Sequence, residues 1–367
     1  MNVDNRALFR ASVFMFGSIV GAGVFALPGV FASVGPWMAS MVYVLIAGIV
    51  LQTHLFYIDI VRITKHRETR FPSHVGTILG PTARAIAFFA HPGQIVGAGL
   101  AYLLLGGVFL NWFGNAVGIH LAMADWRVIF WVGGALTVFI GLRAVADVGI
   151  FCSWLLIACL FFLAGVYAQY PVTLIQASTG WHIADFGVML FSLFGLSTIS
   201  EVSDLAGPSR SAGRRAVALG SIGAAILMWL FAFFASRAVG QSATSFEVLD
   251  FIQTLPHQIQ WIIPLAGFLA VSNVFVVVMQ DLKMTFHRDA HWPLWLSWAV
   301  ALGAPLLLLA ITTNASEAIG FVGSVFTAIN ALLVCLMAFR LNRSRRIAPL
   351  LGLFFVFIIL WRIISLI

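Results

Sequence analysis

Eleven apolar runs of roughly twenty residues follow one another along 367 residues, and this pattern leaves few folds open. They lie near 11–34, 37–61, 84–112, 126–141, 146–168, 183–205, 216–239, 259–283, 292–311, 316–340 and 347–366. Each is long enough to cross a bilayer as a helix, the geometry in which a single segment satisfies its own backbone. With 61% hydrophobic and 9% charged residues, a soluble domain with one core is excluded. The expected class is an all-α integral membrane protein. Met1 to Arg10 is polar and leads into a full-length span, so no cleavable signal peptide is expected.

Charge placement tests the span count independently. With the N-terminus in the cytoplasm, 17 of the 20 Lys and Arg residues fall on the inner side, leaving Arg127, Arg237 and Arg362 outside near helix ends. A missed span would invert every later loop and destroy this bias. The expected outer segments 113–125, 169–182 and 240–258 contain no Lys or Arg, whereas the inner RITKHRETRFPSH from Arg62 is densely basic. An odd count places the C-terminus outside. The net charge of +7 is thus explained by membrane topology, and no nucleic-acid partner is expected. Cys152, Cys159 and Cys335 lie inside apolar runs without metal-site spacing and read as small fillers.

Two runs are interrupted. GSIVGAGVFALP, from Gly17 to Pro28, places three glycines, a serine and a proline inside the first span. Glycine weakens a helix and proline removes a donor. In hydrocarbon, such a break is tolerated only where it is buried in protein or lines a cavity. The sixth span carries SLFGLSTISEVSDLAGPSR from Ser192 to Arg210, with Gly195 amid hydroxyls, Glu201 and Asp204. The first and sixth spans open successive sets of five. Broken helices at equivalent places in two halves are the mark of an inverted-repeat secondary transporter, with repeat one over 11–168 and repeat two over 183–340. Residues 1–340 then form a ten-helix core, and 341–367 add a C-terminal helix. Gly17 and Gly21 also fit a small-xxx-small spacing, so close helix packing is the alternative for those glycines.

GSIVGAGVFALP resembles the first-helix signature of the amino acid, polyamine and organocation superfamily, which has the LeuT-type fold. GLSTISEVSDLAGPSR, VFVVVMQDLKMTFHRD and IGFVGSVFTAINALLVCLMAFR are similar to its sixth, eighth and tenth spans. The branch most resembled is that of amino acid and auxin permeases, including the bacterial hydroxy and aromatic amino acid permeases. The resemblance implies a bacterial inner-membrane permease. It implies that the amides of Ala22 and Gly23 receive a substrate carboxylate, beside Ser18 and Gly21, and that carbonyls of Ile19 and of Phe194 or Gly195 receive its ammonium. It implies a sodium site of Gly17 and Val20 carbonyls facing Ser272 and Asn273, for which bonding between helices is the alternative. Val24 stands where a second sodium site would need a polar side chain.

The coupling ion is left between sodium and proton. The lysine that some proton-coupled relatives carry in the fifth span is absent, with Ser153 and Trp154 around its place. Glu201 is the candidate proton carrier, since an intramembrane carboxylate is costly, and an ion pair at the inner end of the sixth span is its alternative. Ser197 stands where several relatives have an acidic gating residue. His54 reads as a satisfied buried histidine, Gln94 and Tyr102 as packing or lining residues, and Asp147, Asp281 and Lys283 as helix-end charges near water that set topology or close an inner gate by pairing with basic residues. Phe191, Phe194 and Leu196 suggest an apolar side-chain pocket, and no membrane-depth arginine is present to hold an acidic substrate. The expected function is secondary transport of a neutral, aromatic or large aliphatic amino acid, with no cofactor beyond the coupling ion and no obligate protein partner. A channel would need a continuous polar stripe, which no span has. An enzyme would need clustered groups, and His54, Asp59 and Cys159 are scattered.

Overall fold

A computed structural model describes residues 3–64, 70–169, 181–239, 252–253 and 255–365. Lys65 and Arg67 lie outside the described residues, as do the side chains of Arg143 and Asp147, residues 170–180 of the expected outer segment 169–182, and residues 240–251 and 254 of the expected outer segment 240–258. Every regular element among the described residues is helical. The chain runs α1 (Val3–Ile19), α2 (Gly23–Val34), α3 (Pro36–Thr64), α4 (Phe71–Leu79), α5 (Pro81–Ala116), α6 (Met123–Ile140) and α7 (Leu142–Tyr167). It continues through α8 (Ile183–Leu193), a 3-10 turn (Leu196–Thr198), α9 (Ile199–Leu205), α10 (Arg210–Val239) and α11 (Ile262–Met284). The last elements are α12 (Leu294–Leu308), α13 (Ala315–Val322), α14 (Ala328–Arg340) and α15 (Ile347–Ile364), with π turns at Thr285–Asp289 and Gly323–Thr327.

Eight of the described spans are long and apolar enough to cross a membrane, and the bent pair α1 and α2 makes a ninth. Two shorter apolar helices, Phe151–Tyr167 and Leu294–Leu308, stand where the fifth and ninth runs were expected. The first expected interruption is real but narrower than its motif. The chain turns by 58° across Val20, Gly21 and Ala22, while Gly17 stays inside α1 and Pro28 stays inside a continuous α2. Pro28 therefore breaks nothing. It is the sixth of twelve residues in α2, and its missing donor removes one internal bond from a helix that stays continuous.

The helices sort into two groups. In one, α1, α2, α3, α8, α9 and α10 pack on one another, so both broken spans share a body. In the other, α5, α6, α11 and α12 pack together. Between them stand α7, which touches α1, α10 and α11, and the α13–α14 span, which touches α3, α5 and α8. The last helix, α15, lies along α14 with only 22% of its apolar window buried, as a peripheral helix should.

A short helix in the basic loop was not foreseen. α4 starts with Pro72 in its first turn and ends at Gly80, whose φ of 97° suits glycine. Its N-cap, Arg70, has no side-chain cap of its own. Asp289 supplies one from the turn after α11, accepting from the amides of Arg70 and Ser73 at 3.1 Å each.

Candidate substrate and coupling site

At the first break, the amides of Gly21, Ala22 and Gly23 have no backbone acceptor among the described residues, and the carbonyls of Ser18, Ile19 and Val20 have no donor. These are the orphan groups of a helix end, with partial positive charge at the start of α2 and partial negative charge at the end of α1. The second break is shaped by Phe194, in extended conformation, and by Gly195. Gly195 gives its amide to Nε2 of His54 at 3.1 Å, and its carbonyl takes the Thr198 hydroxyl at 2.9 Å. An amide can only donate, so Nε2 of His54 accepts, and Nδ1 carries the proton toward Ser221 Oγ at 3.1 Å. His54 is thus a neutral, fully satisfied ring that pins the break.

The two breaks are tied to each other. Ser18 Oγ lies 2.9 Å from Thr198 Oγ1, and Ser18 also reaches the Met15 carbonyl at 2.8 Å. Each hydroxyl has one proton, so the chain runs from Ser18 to Thr198 to Gly195, or from Thr198 to Ser18 to Met15. Either direction joins α1 to the turn before α9. Gly23 makes the neighbouring contact possible, since a Cβ there would stand 2.6 Å from Ser192 Cα.

Between the breaks lies a central cavity of about 30 Å³, bounded by Ser18, Ile19, Gly21, Gly23, Phe191, Phe194 and Ser197 on one body. His91, Gln94, Tyr102 and Val274 complete it from the other. Its volume suits a water or two and no larger ligand. A second cavity of about 410 Å³ opens beyond Ala22 and Phe25, lined also by Arg127, Asn314 and Ile319. The unwound stretch separates the two, and Ala22 faces the wider one.

The end of the molecule away from the wide cavity is closed by charge. Arg70 pairs with Glu201 and stands 3.4 Å from Asp281, whose other oxygen is 2.9 Å from His91 Nε2. Burial lowers the proton affinity of the Arg70 guanidinium, but the two carboxylates outweigh it and hold its pKa above the ordinary value. Arg62 donates to Ser203 Oγ at 3.2 Å and to the carbonyls of Gly207 and Ser209. Asp59 accepts from Arg210 at 2.9 Å and Arg214 at 2.6 Å. These contacts lace α3, α4, α5, α9, α10 and α11 together at the basic end.

No family model matches the chain, and no curated relative does. Solved structures match over nearly its whole length. It is similar to MhsT in complex with L-phenylalanine, at a TM-score of 0.68 and 14% identity, covering 95% of this chain and 98% of that one. Mhp1, a nucleobase-cation-symport-1 family transporter closed around bromovinylhydantoin, matches at 0.64 and 13% identity, covering 92% and 79%. Mhp1 facing inward matches at 0.60 and 12% identity, covering 89% and 76%. The fold is the LeuT type. At these identities the likeness speaks for the architecture alone, and it does not single out the amino acid and auxin permease branch.

Of the nine residues expected to bind substrate, Ser18, Ile19, Gly21, Gly23, Phe191, Phe194 and Ser197 line the central cavity, and two do not. Ala22 belongs to the wide cavity, and Gly195 is turned away, packed on Ile19 with both backbone groups taken. Of the ion-site residues, Asn273 donates its amide to the Gly17 carbonyl at 3.1 Å, beside Ser153. A cation at that carbonyl would require the amide to turn and present its oxygen. Ser272 Oγ is buried with no hydrogen-bond partner among the described residues. Val20 is buried beside the break. Glu201 lies at the basic end in its ion pair with Arg70 and does not line the cavity. Lys283, expected near water, is buried and donates to the Val138 carbonyl at 2.8 Å. His54, Asp59 and Cys159 serve separate contacts, with Cys159 in the apolar core.

Arg70 and His91 were not foreseen as site residues. For His91 a signal existed: a histidine followed by Pro92, Gly93 and Gln94 inside an apolar span. Nothing local marks Arg70, because its partners are 131 and 211 positions away in the chain, at Glu201 and Asp281.

Proposed function

We propose that this chain is a secondary active transporter that moves a neutral amino acid by alternating access, driven by a sodium or proton gradient. The observation that carries the reading is the pair of helix breaks at one cavity. The amides of Gly21 and Gly23 at this cavity, with that of Ala22 on the side of the wider one, suit a carboxylate, and free carbonyls at Ser18 and Ile19, with that of Phe194, suit an ammonium. A zwitterion supplies both charges at that spacing. Tyr102, Phe191, Phe194 and Val274 give the rest of the cavity an apolar, aromatic wall, which favours an aromatic or large aliphatic side chain. MhsT binds L-phenylalanine within the same architecture.

The cavity is too small for such a substrate as it stands, so binding requires Phe191 and Tyr102 to separate. Their rings are 6.4 Å apart. The wide cavity beyond them is the access route, and the Arg-rich end is the closed gate. By the charge bias, that gate faces the cytoplasm of a bacterial inner membrane, with the N-terminus inside and the C-terminus outside across eleven spans. The body holding both breaks rocks against the α5, α6, α11 and α12 body. The finer assignment, to the amino acid and auxin permease branch, rests on the GSIVGAGVFALP motif.

Purified protein in liposomes should exchange and concentrate a labelled neutral amino acid under an imposed sodium or pH gradient. Gly23→Leu should abolish this, because its side chain drives into Ser192 and fills the cavity. The reading fails if no member of a broad amino acid panel is taken up, or if Gly23→Leu transports normally.

A further inference from the structure

The charges around His91 do not balance. Its ring is 2% exposed and forms part of the central cavity wall, with the Phe71 ring 5.3 Å away. Asp281 and Glu201 share Arg70, and His91 Nε2 meets the second oxygen of Asp281. With His91 neutral, the cluster holds one positive and two negative charges, with the side chains of Arg70 and Asp281 11% and 5% exposed and that of Glu201 23%, and a net charge largely removed from water is costly. One proton cancels it. His91 has a place for that proton, since Nε2 donates to Asp281 while Nδ1 is buried with no hydrogen-bond partner among the described residues.

The other charged and titratable groups nearby are engaged elsewhere or exposed. On α3, Tyr57 is near Asp281 and Arg70. On α4, His74 bonds Thr64. Asp289 takes two amides at the start of α4, and Arg84 donates to the Asp289 carbonyl. Lys283 bonds a carbonyl of α6, and Arg288 is exposed.

We infer that His91 carries the coupling proton, taking it from the central cavity and trading it against the contact between Arg70 and Asp281 at the basic end. An N–H bond forms at Nδ1 with a proton from the side of the wide cavity. The imidazolium then neutralises Asp281, and Arg70 is left holding Glu201 alone. The closed end loosens. When it opens, the proton leaves for water on the basic side, and Arg70 returns to both carboxylates. One proton crosses per cycle, driven by its own gradient. Glu201 is the fixed half of the gate in this scheme. The inference rests on the transporter reading above.

The test uses the full-length protein in liposomes, with labelled L-phenylalanine as the first probe and the other neutral amino acids after it. Counterflow without a gradient reports exchange, and accumulation under a pH gradient reports coupling. His91→Gln should lose the pH dependence of its counterflow, and its gradient-driven accumulation, taken relative to its own counterflow, should fall at least ten-fold below that of the wild type. Glu201→Gln balances the cluster without a proton, so its pH profile should move toward acid by about one unit while coupling persists. The inference is overturned if His91→Gln still concentrates the probe under a pH gradient, if Glu201→Gln alone abolishes coupling, or if sodium at equal pH drives wild-type accumulation. Should His91→Gln fail to fold, an unshifted profile for Glu201→Gln overturns it equally. A wild-type protein without counterflow of any amino acid in the panel removes the transporter reading, and this inference with it.

Discussion

Replacing His54 by leucine isolates the force that holds the second helix open. The ring is fully buried and makes two hydrogen bonds, one accepted from the Gly195 amide and one donated to Ser221. Leucine has similar bulk and no polar atom, so the loss is almost wholly polar. A buried amide without a partner costs about 1–3 kcal/mol, whereas Ser221 recovers most of its bond by turning to a carbonyl one turn back in α10. The sum is about 2–3 kcal/mol, and the break at Gly195 loses its anchor. Glutamine at the same place can offer its carbonyl oxygen to the Gly195 amide and should regain all but about 1 kcal/mol. Reversible unfolding in mixed micelles against a denaturing detergent would order the proteins as wild type, His54→Gln, then His54→Leu. Equal stability of the two variants, within about 0.5 kcal/mol, would refute the claim that the ring acts through the amide.

Three further outcomes follow from contacts elsewhere. Gly187→Ala places a methyl group 2.9 Å from the Gly320 carbonyl carbon, with main chain on both sides, so it should destabilise by about 1–3 kcal/mol, read as a lower melting temperature in micelles. Asp289→Asn removes the charge that caps α4 and should cost about 1 kcal/mol, with faster protease cleavage around residues 70–80. Asp59→Asn releases Arg210 and Arg214, whose side chains are 54% and 38% exposed, so water screens much of the pairing; the loss should be about 0.5–1 kcal/mol at low salt and shrink in high salt.

The two interruptions and most of the cavity wall were legible because each is a local event. Glycine clusters, a polar burst at Ser197 to Asp204, and apolar runs of membrane length all announce themselves within a few residues. Pro28 misled for the same reason: proline is a local sign of a break, yet in the middle of α2 it removes one backbone donor and the helix continues through it. The charged seal was legible only in part: an ion pair for Glu201 at the inner end and a basic partner for Asp281 were among the readings, but that Arg70 serves both was not, because it depends on how α4 is seated. Gly195 shows the converse: its residue type suggested close approach by a ligand, but Ile19 is what approaches.

Gly187 on α8 and Gly320 with Gly323 in the α13 span press main chain against main chain. Helix surfaces ordinarily lock through ridges of side chains set in grooves, and the lock defines a register. A seam made of bare backbone has no teeth. Helix α8 can therefore glide along its neighbour by a fraction of a turn without lifting away. Lubrication of this kind would let one body tilt while lipid and water stay out of the joint.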